Sequence, residues 1–371
     1  MSGSRNIVII GLSLSSSWGN GHATTFRSLI GGLAVQGHKV CFLEKDVPWY
    51  ASQRDLEDPD FCELFYYQNN ADLLATHAAR IRAADAVIIG SYVNDGVQLI
   101  DELAALDPRR LSFYDIDTPV TLAKLDRGDE EYLARRQMPV FDTYFSFSGG
   151  EVLRQLEQQY GVRDARALYC SVDTNIYRNT GEACRWDLGY LGTYSPDRQP
   201  TLERLLIEPA RRLPQMRFVV AGPQYPADID WPDNVERIDH LPPAQHASFY
   251  SRQRFTLNVT RADMIAAGWS PSVRLFEAAA CATPVISDDW RGLQDLLPDR
   301  EAILIAQDTG DVVGILENLS AGERGRIGEA ARHRIVNDHN GVARANELLA
   351  ALESSPAVTS QAADNKQTMV A

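Results

Sequence analysis

The stretch Gly268–Gly292, GWSPSVRLFEAAACATPVISDDWRG, decides how the chain is read. Ser270 followed by Pro271 predicts a helix start: a side-chain oxygen as cap, then a proline at the first helical position, where a missing N–H costs nothing. The next amides, Ser272 and Val273, then point out of the helix N-terminus, whose partial positive charge suits an anion such as a diphosphate. Arg274 adds a planar fork matched to phosphate oxygens. Glu277 falls on the same face, because helical side chains three and four residues apart align and lean back toward the N-terminus. A carboxylate there accepts two hydrogen bonds from a ribose diol beside the phosphates. Ala278, Ala279 and Ala280 let the helix lie close on a sheet, and Thr283 to Ser287 predicts the next buried strand. The plainer alternative is an ordinary helix–strand packing unit with a stray glutamate. Cap, amides, arginine, glutamate and small-residue run all agree on a nucleotide site instead.

At 371 residues the chain exceeds one ordinary core, and two domains fit it better. Its composition, 44% hydrophobic and 23% charged, is that of a globular protein. A formal net charge of −14 argues against a nucleic-acid partner, while a local basic patch around a diphosphate stays compatible with it. The 5 cysteines, Cys41, Cys62, Cys170, Cys184 and Cys281, are odd in number and contain no C-x-x-C. They read as reduced thiols rather than a disulfide frame or a zinc site. No signal-peptide pattern opens the chain, and no apolar run approaches the ~20 residues of a membrane span. The expectation is a cytoplasmic protein, with peripheral membrane contact left open and the oligomeric state unread.

Asn6 to Gly11 is a short, continuously apolar run ending in glycine, the pattern of a buried parallel strand. A Ser/Gly-rich loop, a helix near Thr24 to Gln36 and a strand at Lys39 to Leu43 complete a βαβ unit. Further strands are expected at Ala86 to Ile89, Leu111 to Tyr114 and Thr143 to Phe147, with helices at Ala71 to Ala83 and Glu151 to Tyr160. The pattern then restarts with strands at Asp187 to Gly192, Phe218 to Gly222, Val235 to Ile238 and Phe255 to Val259. Helices are expected at Thr201 to Leu213 and Ala244 to Tyr250, and from about Thr309 to Leu352. The remainder, 354–371, lacks periodicity and reads as a disordered tail. Alternation of strand and helix gives an α/β class and no more.

The pattern S-x-R-x-F-E-A-x-A-C-x-T-P-V-I-S at Ser272–Ser287, with Gly292-Leu293 following, resembles the donor-nucleotide site of the GT-B glycosyltransferases. Its wording is similar to the CgeB-like, spore-maturation-type branch, related to family 4. The segment Val172-Asp173-Thr174-Asn175-Ile176-Tyr177 resembles the V-D-T-x-x-[FY] hinge of family-4-like enzymes. The resemblance implies two Rossmann-like, doubly wound domains facing a cleft: residues 1–170 on the acceptor side and 171–353 on the donor side. It implies a hexosyltransferase-type enzyme of bacterial polysaccharide or glycan biosynthesis. A sugar would pass from a nucleoside diphosphate sugar to an unidentified acceptor (glycan, lipid, protein or small molecule) with neither cofactor nor metal. A nucleotide-sugar 2-epimerase and a non-catalytic nucleotide-sugar-binding protein of the same fold stay open as rivals. Family 4 enzymes usually carry a second glutamate eight positions before the ribose-binding one. Trp269 stands there in this chain, so only the role at Glu277 carries over.

Other residues join the candidate site. Gly19 and Gly21 let backbone approach a ligand at a helix start, and the resemblance turns their loop toward the cleft, where His22 serves as phosphate donor or base. The spacing is not G-x-G-x-x-G, so a dinucleotide site is poorly supported. Asp115 and Asp117 follow a predicted strand end, where ligands meet open α/β sheets. One of them is a candidate base, Asp117 being preferred, and the other a cap before Pro119. Asp115-Ile116-Asp117 spells the D-x-D of metal-dependent enzymes of another fold, but in the wrong half for a GT-B donor. By resemblance, Thr193, Tyr194 and Arg198 approach the diphosphate, while Pro223, His240 and Leu241 flank the nucleobase. Arg198 and Arg274 together could stabilise the leaving diphosphate without a metal.

Overall fold

The structure, a computed structural model, describes residues 3–18 and 21–354. The expected tail therefore lies outside the described residues, except Ser354, which ends the last helix. The described residues form two all-parallel sheets. The first comprises β1 (Asn6–Gly11), β2 (Lys39–Lys45), β3 (Glu63–Tyr67), β4 (Ala86–Gly90), β5 (Leu111–Asp115), β6 (Thr143–Ser146) and β7 (Ala165–Ala167), ordered 3-2-1-4-5-6-7. The second comprises β8 (Trp186–Leu191), β9 (Phe218–Ala221), β10 (Val235–Ile238), β11 (Gln253–Asn258), β12 (Val285–Ser287) and β13 (Leu304–Ile305), ordered 10-9-8-11-12-13. The α/β class and the doubly wound GT-B architecture are both present.

Each strand order reverses once, between β1 and β4 and between β8 and β11. Loops diverge at such a point and open a crevice at the strand C-termini, where ligands bind open α/β sheets. Helices cover both faces, which is why the central strands are apolar throughout: Ile7, Val8, Ile9 and Ile10 are all buried. The final helix, Gly341–Ser354, packs along His22–Val35 of the first half. Among the described residues no helix is long and apolar enough to cross a membrane.

Three strands escape the sequence reading. β3, ELFYY, is an edge strand of mostly half-exposed residues without clean alternation, and β7 and β13 are only three and two residues long. The predicted helix at Thr201 to Leu213 is one continuous helical run over 199–212 with a wider turn at Glu203–Ile207.

Candidate functional site

The decisive helix starts later than Ser270-Pro271 predicts. It runs Val273–Ala280, with Ser272 in extended conformation as the capping position and no side-chain cap. The reason is tertiary. Ser270 Oγ donates to the Gly268 carbonyl and lies 2.5 Å from Ser148 Oγ at the end of the first sheet, while Ser272 Oγ donates to Asn258 Oδ1 at 2.7 Å. Among the described residues the N–H groups of Ser272, Val273 and Arg274 find no acceptor, so the free amides stand at Ser272 and Val273 as expected although the helix itself begins two residues later.

Arg274 is 7% exposed, and its position is fully constrained. Nη1 donates to Asn258 Oδ1 at 3.0 Å, Nε donates to the Leu191 carbonyl, and the guanidinium lies 4.6 Å from the centre of the Tyr190 ring. Buried Asn258, at the end of β11, thus aligns Ser272 and Arg274 together. Arg198 Nη2 donates to the Thr193 carbonyl at 2.6 Å, and its buried Nε has no partner among the described residues. Burial lowers the Arg198 pKa, and the neighbouring Arg274 and Arg261 charges lower it further. An arginine cluster of this kind gains most from an anion placed among it.

Glu277 is 4% exposed. Its Oε1 accepts from the Tyr177 hydroxyl at 2.9 Å and its Oε2 from the Tyr250 hydroxyl at 2.8 Å. His246 Nδ1 lies 3.8 Å from Oε1. Burial opposes ionisation, but His246 and the two hydroxyls outweigh it and hold the carboxyl below its usual range.

Across from this assembly, His22 is the first residue of its helix and only 5% exposed. Burial lowers its pKa to about 4, even with Asp117 Oδ2 at 4.0 Å, so the ring is neutral near pH 7. Its Nδ1 is buried without a partner among the described residues, and the ring meets Tyr92 edge-on at 5.6 Å. Asp117 caps no helix amide with its side chain, which is 37% exposed. Desolvation raises its pKa, while Arg261 and the Tyr92 hydroxyl pull the other way. Asp115 caps no helix amide either; its carboxylate closes a turn onto the Asp117 amide, and Asp117 holds the capping position. Asp115 is fully buried, accepts from Tyr144 and Thr121 hydroxyls at 2.7 and 2.8 Å and from the Asp117 amide at 3.2 Å, and is pushed up to about 6 by burial.

The two sides meet. A side chain added at Gly21 would come within 3.8 Å of Val273, so the first-half loop stands at the N-terminus of the donor-side helix. Gly149 donates to the Trp269 carbonyl at 2.9 Å, and Arg291 pairs with Glu151 at 3.2 Å. Trp269, with φ at +43°, seats its ring on Gly150 and Gly292, where a Cβ would lie 2.4 and 2.3 Å away. The residue replacing the expected glutamate is therefore a packing element between the halves.

Gly21 is thus brought to Val273, with His22 beside Asp117 on the first-half side and Arg198 beside Arg274 on the donor side. Gly19 lies outside the described residues. Thr193 and Tyr194 are held beside the arginines because Tyr194 donates to the Pro223 carbonyl at 3.1 Å and Gly222, at φ +140°, presses the two loops backbone to backbone. Pro223 and His240 stand exposed farther out, after β9 and the edge strand β10. The Leu241 carbonyl reaches back to His246 Nε2 at 3.3 Å and so toward Glu277. Sequence reasoning missed Tyr92 and Arg261, which follow β4 and β11 at the two switch points, and Tyr177, Tyr250 and His246 as partners of Glu277. Only the strand order, unknown from sequence, singles out the first pair.

Residues 198–350 match a family described as glycosyl transferase-like. No curated protein matches the chain. Among solved structures, sucrose-phosphate synthase from Thermosynechococcus elongatus is similar, with TM-score 0.71 at 15% identity, over 94% of this chain and 98% of that one. HepE from Anabaena, solved with UDP and glucose, gives 0.67 at 12% identity over 94% and 100%. An alpha-glucosyltransferase solved with UDP-glucose and DNA gives 0.70 at 13% identity over 95% and 100%. The chain therefore has the GT-B fold, and its second half carries a glycosyl transferase-like sequence.

Proposed function

We propose that this chain is a glycosyltransferase that moves a sugar from a nucleoside diphosphate sugar to an acceptor hydroxyl without a metal ion. One observation carries the reading: the unpaired amides at Ser272, Val273 and Arg274 stand opposite Gly21, with Glu277 behind them and the His22–Asp117 pair in front. The amides and the Arg274 and Arg198 guanidinium groups take the diphosphate, and Glu277 takes the ribose diol. The bond from the anomeric carbon to the phosphate oxygen breaks, and the negative charge that develops falls on donors already fixed in place. The acceptor oxygen bonds to that carbon and yields its proton to the His22–Asp117 pair. The raised pKa of Asp117 moves its carboxylate toward the operating pH and suits it as the final proton acceptor, with the neutral His22 ring beside it. The overall negative charge of −14 supports an acceptor other than nucleic acid.

The test pairs binding with turnover. UDP-, GDP-, ADP- and dTDP-sugars are screened by thermal shift, since a ligand at 100 times its Kd stabilises by about 2.7 kcal/mol. Release of nucleoside diphosphate is then followed with the stabilising donor, with and without candidate acceptors. Glycosylated product supports the proposal. An isomerised donor, or tight binding without any turnover, defeats it in favour of an epimerase or a binding protein.

A further inference from the structure

Tyr92 holds a backbone conformation that its side chain makes unfavourable. It follows β4 at the switch point of the first sheet, and its φ of +62° lies in the left-handed region that favours glycine. Such strain persists only where the surroundings over-determine it, and it collects at functional sites. Here both ends of the turn are fixed. The Ser91 amide donates to the Tyr114 carbonyl at 3.0 Å, and Ser91 Oγ accepts from the Ile116 amide at 3.1 Å. Asp95, also left-handed at φ +55°, accepts from Lys45 Nζ at 2.5 Å. Gly96 lies so close to Tyr132 that a Cβ there would come 2.4 Å from its carbonyl oxygen.

The strained turn aims one side chain at two functional groups. The Tyr92 ring meets His22 edge-on at 5.6 Å and packs on Tyr132 with ring centres 4.6 Å apart. Lys124 Nζ lies 5.9 and 5.7 Å from the centres of the same two tyrosine rings. Tyr132 is itself held, its hydroxyl 2.7 Å from Thr121 Oγ1, which donates to Asp115 at 2.8 Å. The Tyr92 hydroxyl faces Asp117. Desolvation opposes the charge on that carboxylate, and Arg261 and the Tyr92 hydroxyl favour it. Desolvation and the Asp117 and Asp115 charges raise the pKa of Tyr92 itself, so the phenol keeps its proton and donates. His22 Nε2 stands 4.0 Å from the same carboxylate.

We propose that Tyr92 is a positioning residue for the His22–Asp117 pair: its ring edge fixes the imidazole, and its hydroxyl fixes the carboxylate that receives the acceptor proton. The inference rests on the reading of that pair as the proton acceptor. Tyr92 acts through those two side chains and not through the donor site around Arg274. The left-handed turn is what lets one residue reach both groups.

The experiment follows the Asp117 carboxyl carbon and the His22 ring protons by NMR titration of the full chain without substrate, in native protein and in Tyr92→Phe. Circular dichroism and affinity for the nucleoside diphosphate check that the variant is folded with its donor site intact. Tyr92→Phe keeps the ring and removes only the hydroxyl, so Asp117 should titrate at higher pH while His22 stays as it was, because a hydrogen bond to the charged form is lost. The acidic limb of the kcat/KM profile should move in the same direction. Tyr92→Ala removes the ring as well and should lower kcat by about 100-fold with donor KM nearly unchanged, the scale of a misplaced catalytic group. An Asp117 titration identical in native and Tyr92→Phe protein overturns the proposal, whatever the activity. So does a variant that loses turnover while neither titration moves, which is the signature of a merely structural tyrosine. An Asp117 titration that moves as expected in a protein that transfers no sugar defeats the glycosyltransferase reading and the catalytic part of the proposal with it, so the two failures are told apart.

Discussion

Replacing Glu277 with glutamine keeps the size of the side chain and removes its charge. The amide oxygen still accepts from one tyrosine hydroxyl. The amide nitrogen faces the other and donates to it, because a phenol oxygen both donates and accepts. One buried hydroxyl proton then lacks an acceptor, a cost of about 1 kcal/mol in a fold of this size. The protein should stay folded, with a melting temperature lower by a few degrees at most. Donor binding loses more. A hydrogen bond to a charged group is worth about 1.5–3 kcal/mol, and each 1.4 kcal/mol is a factor of ten, so affinity for the donor and for the free nucleoside diphosphate should fall between about tenfold and about 150-fold. Calorimetric titration of native and Glu277→Gln protein with the nucleoside diphosphate chosen by thermal shift measures this directly. A folded Glu277→Gln protein that binds with native affinity would remove Glu277 from the site and, with it, the placement of the ribose.

Activity should survive EDTA; loss on chelation with recovery in magnesium or manganese would point to chemistry at Asp115 and Asp117 and defeat the metal-free proposal. His22→Ala should reduce kcat far more than nucleotide affinity, and a variant with native turnover would take the proton-accepting role away from His22. Nucleoside diphosphate should favour the arrangement joined by Ser148–Ser270, Gly149–Trp269 and Glu151–Arg291. Small-angle scattering should therefore report a smaller radius of gyration with ligand than without; an unchanged radius speaks against closure. Acid stability gives a check independent of ligand. His22 titrates near 6.5 when unfolded and about 4 when folded, so the unfolded chain binds the extra proton first. Its contribution is present above pH 6.5 and lost as pH falls toward 4, about 2–3 kcal/mol by pH 4.5. Buried Asp115, raised to about 6, works in the opposite sense, its contribution being lost as pH rises from about 4 to 6. His22→Gln should accordingly narrow the difference in unfolding free energy between pH 7 and pH 4.5, and a variant as acid-sensitive as the native protein would contradict the buried, neutral ring.

Much of the fold was legible because central parallel strands are buried on both faces and so announce themselves as unbroken apolar runs, as at Ile7 to Ile10 and Ala86 to Ile89. The helix Glu151–Tyr160 was read to the residue, closed by Gly161 in the left-handed region at φ +73°. Edge strands gave no such signal, since ELFYY at β3 is half-exposed and neither alternating nor continuously buried. The start of the donor-side helix was misplaced because Ser270 and Pro271 have the local chemistry of a cap, while the hydroxyl of Ser270 is engaged by Ser148, 122 residues away.

Sequence alone determined what depends on neighbours along the chain: the βαβ alternation, the free amides near Ser272, and a glutamate one turn beyond them. Tertiary structure decided everything that depends on partners far apart. It made Asp115 rather than Asp117 the buried carboxylate of the pair, because Tyr144 from the adjacent strand reaches one and not the other. It made Trp269 a seat between the two halves by bringing Gly150 and Gly292 against its ring. It closed the carboxylate of Glu277 between hydroxyls 100 and 27 residues away. Chain order records which groups exist, whereas the reversal of strand order in each sheet sets which of them share a crevice.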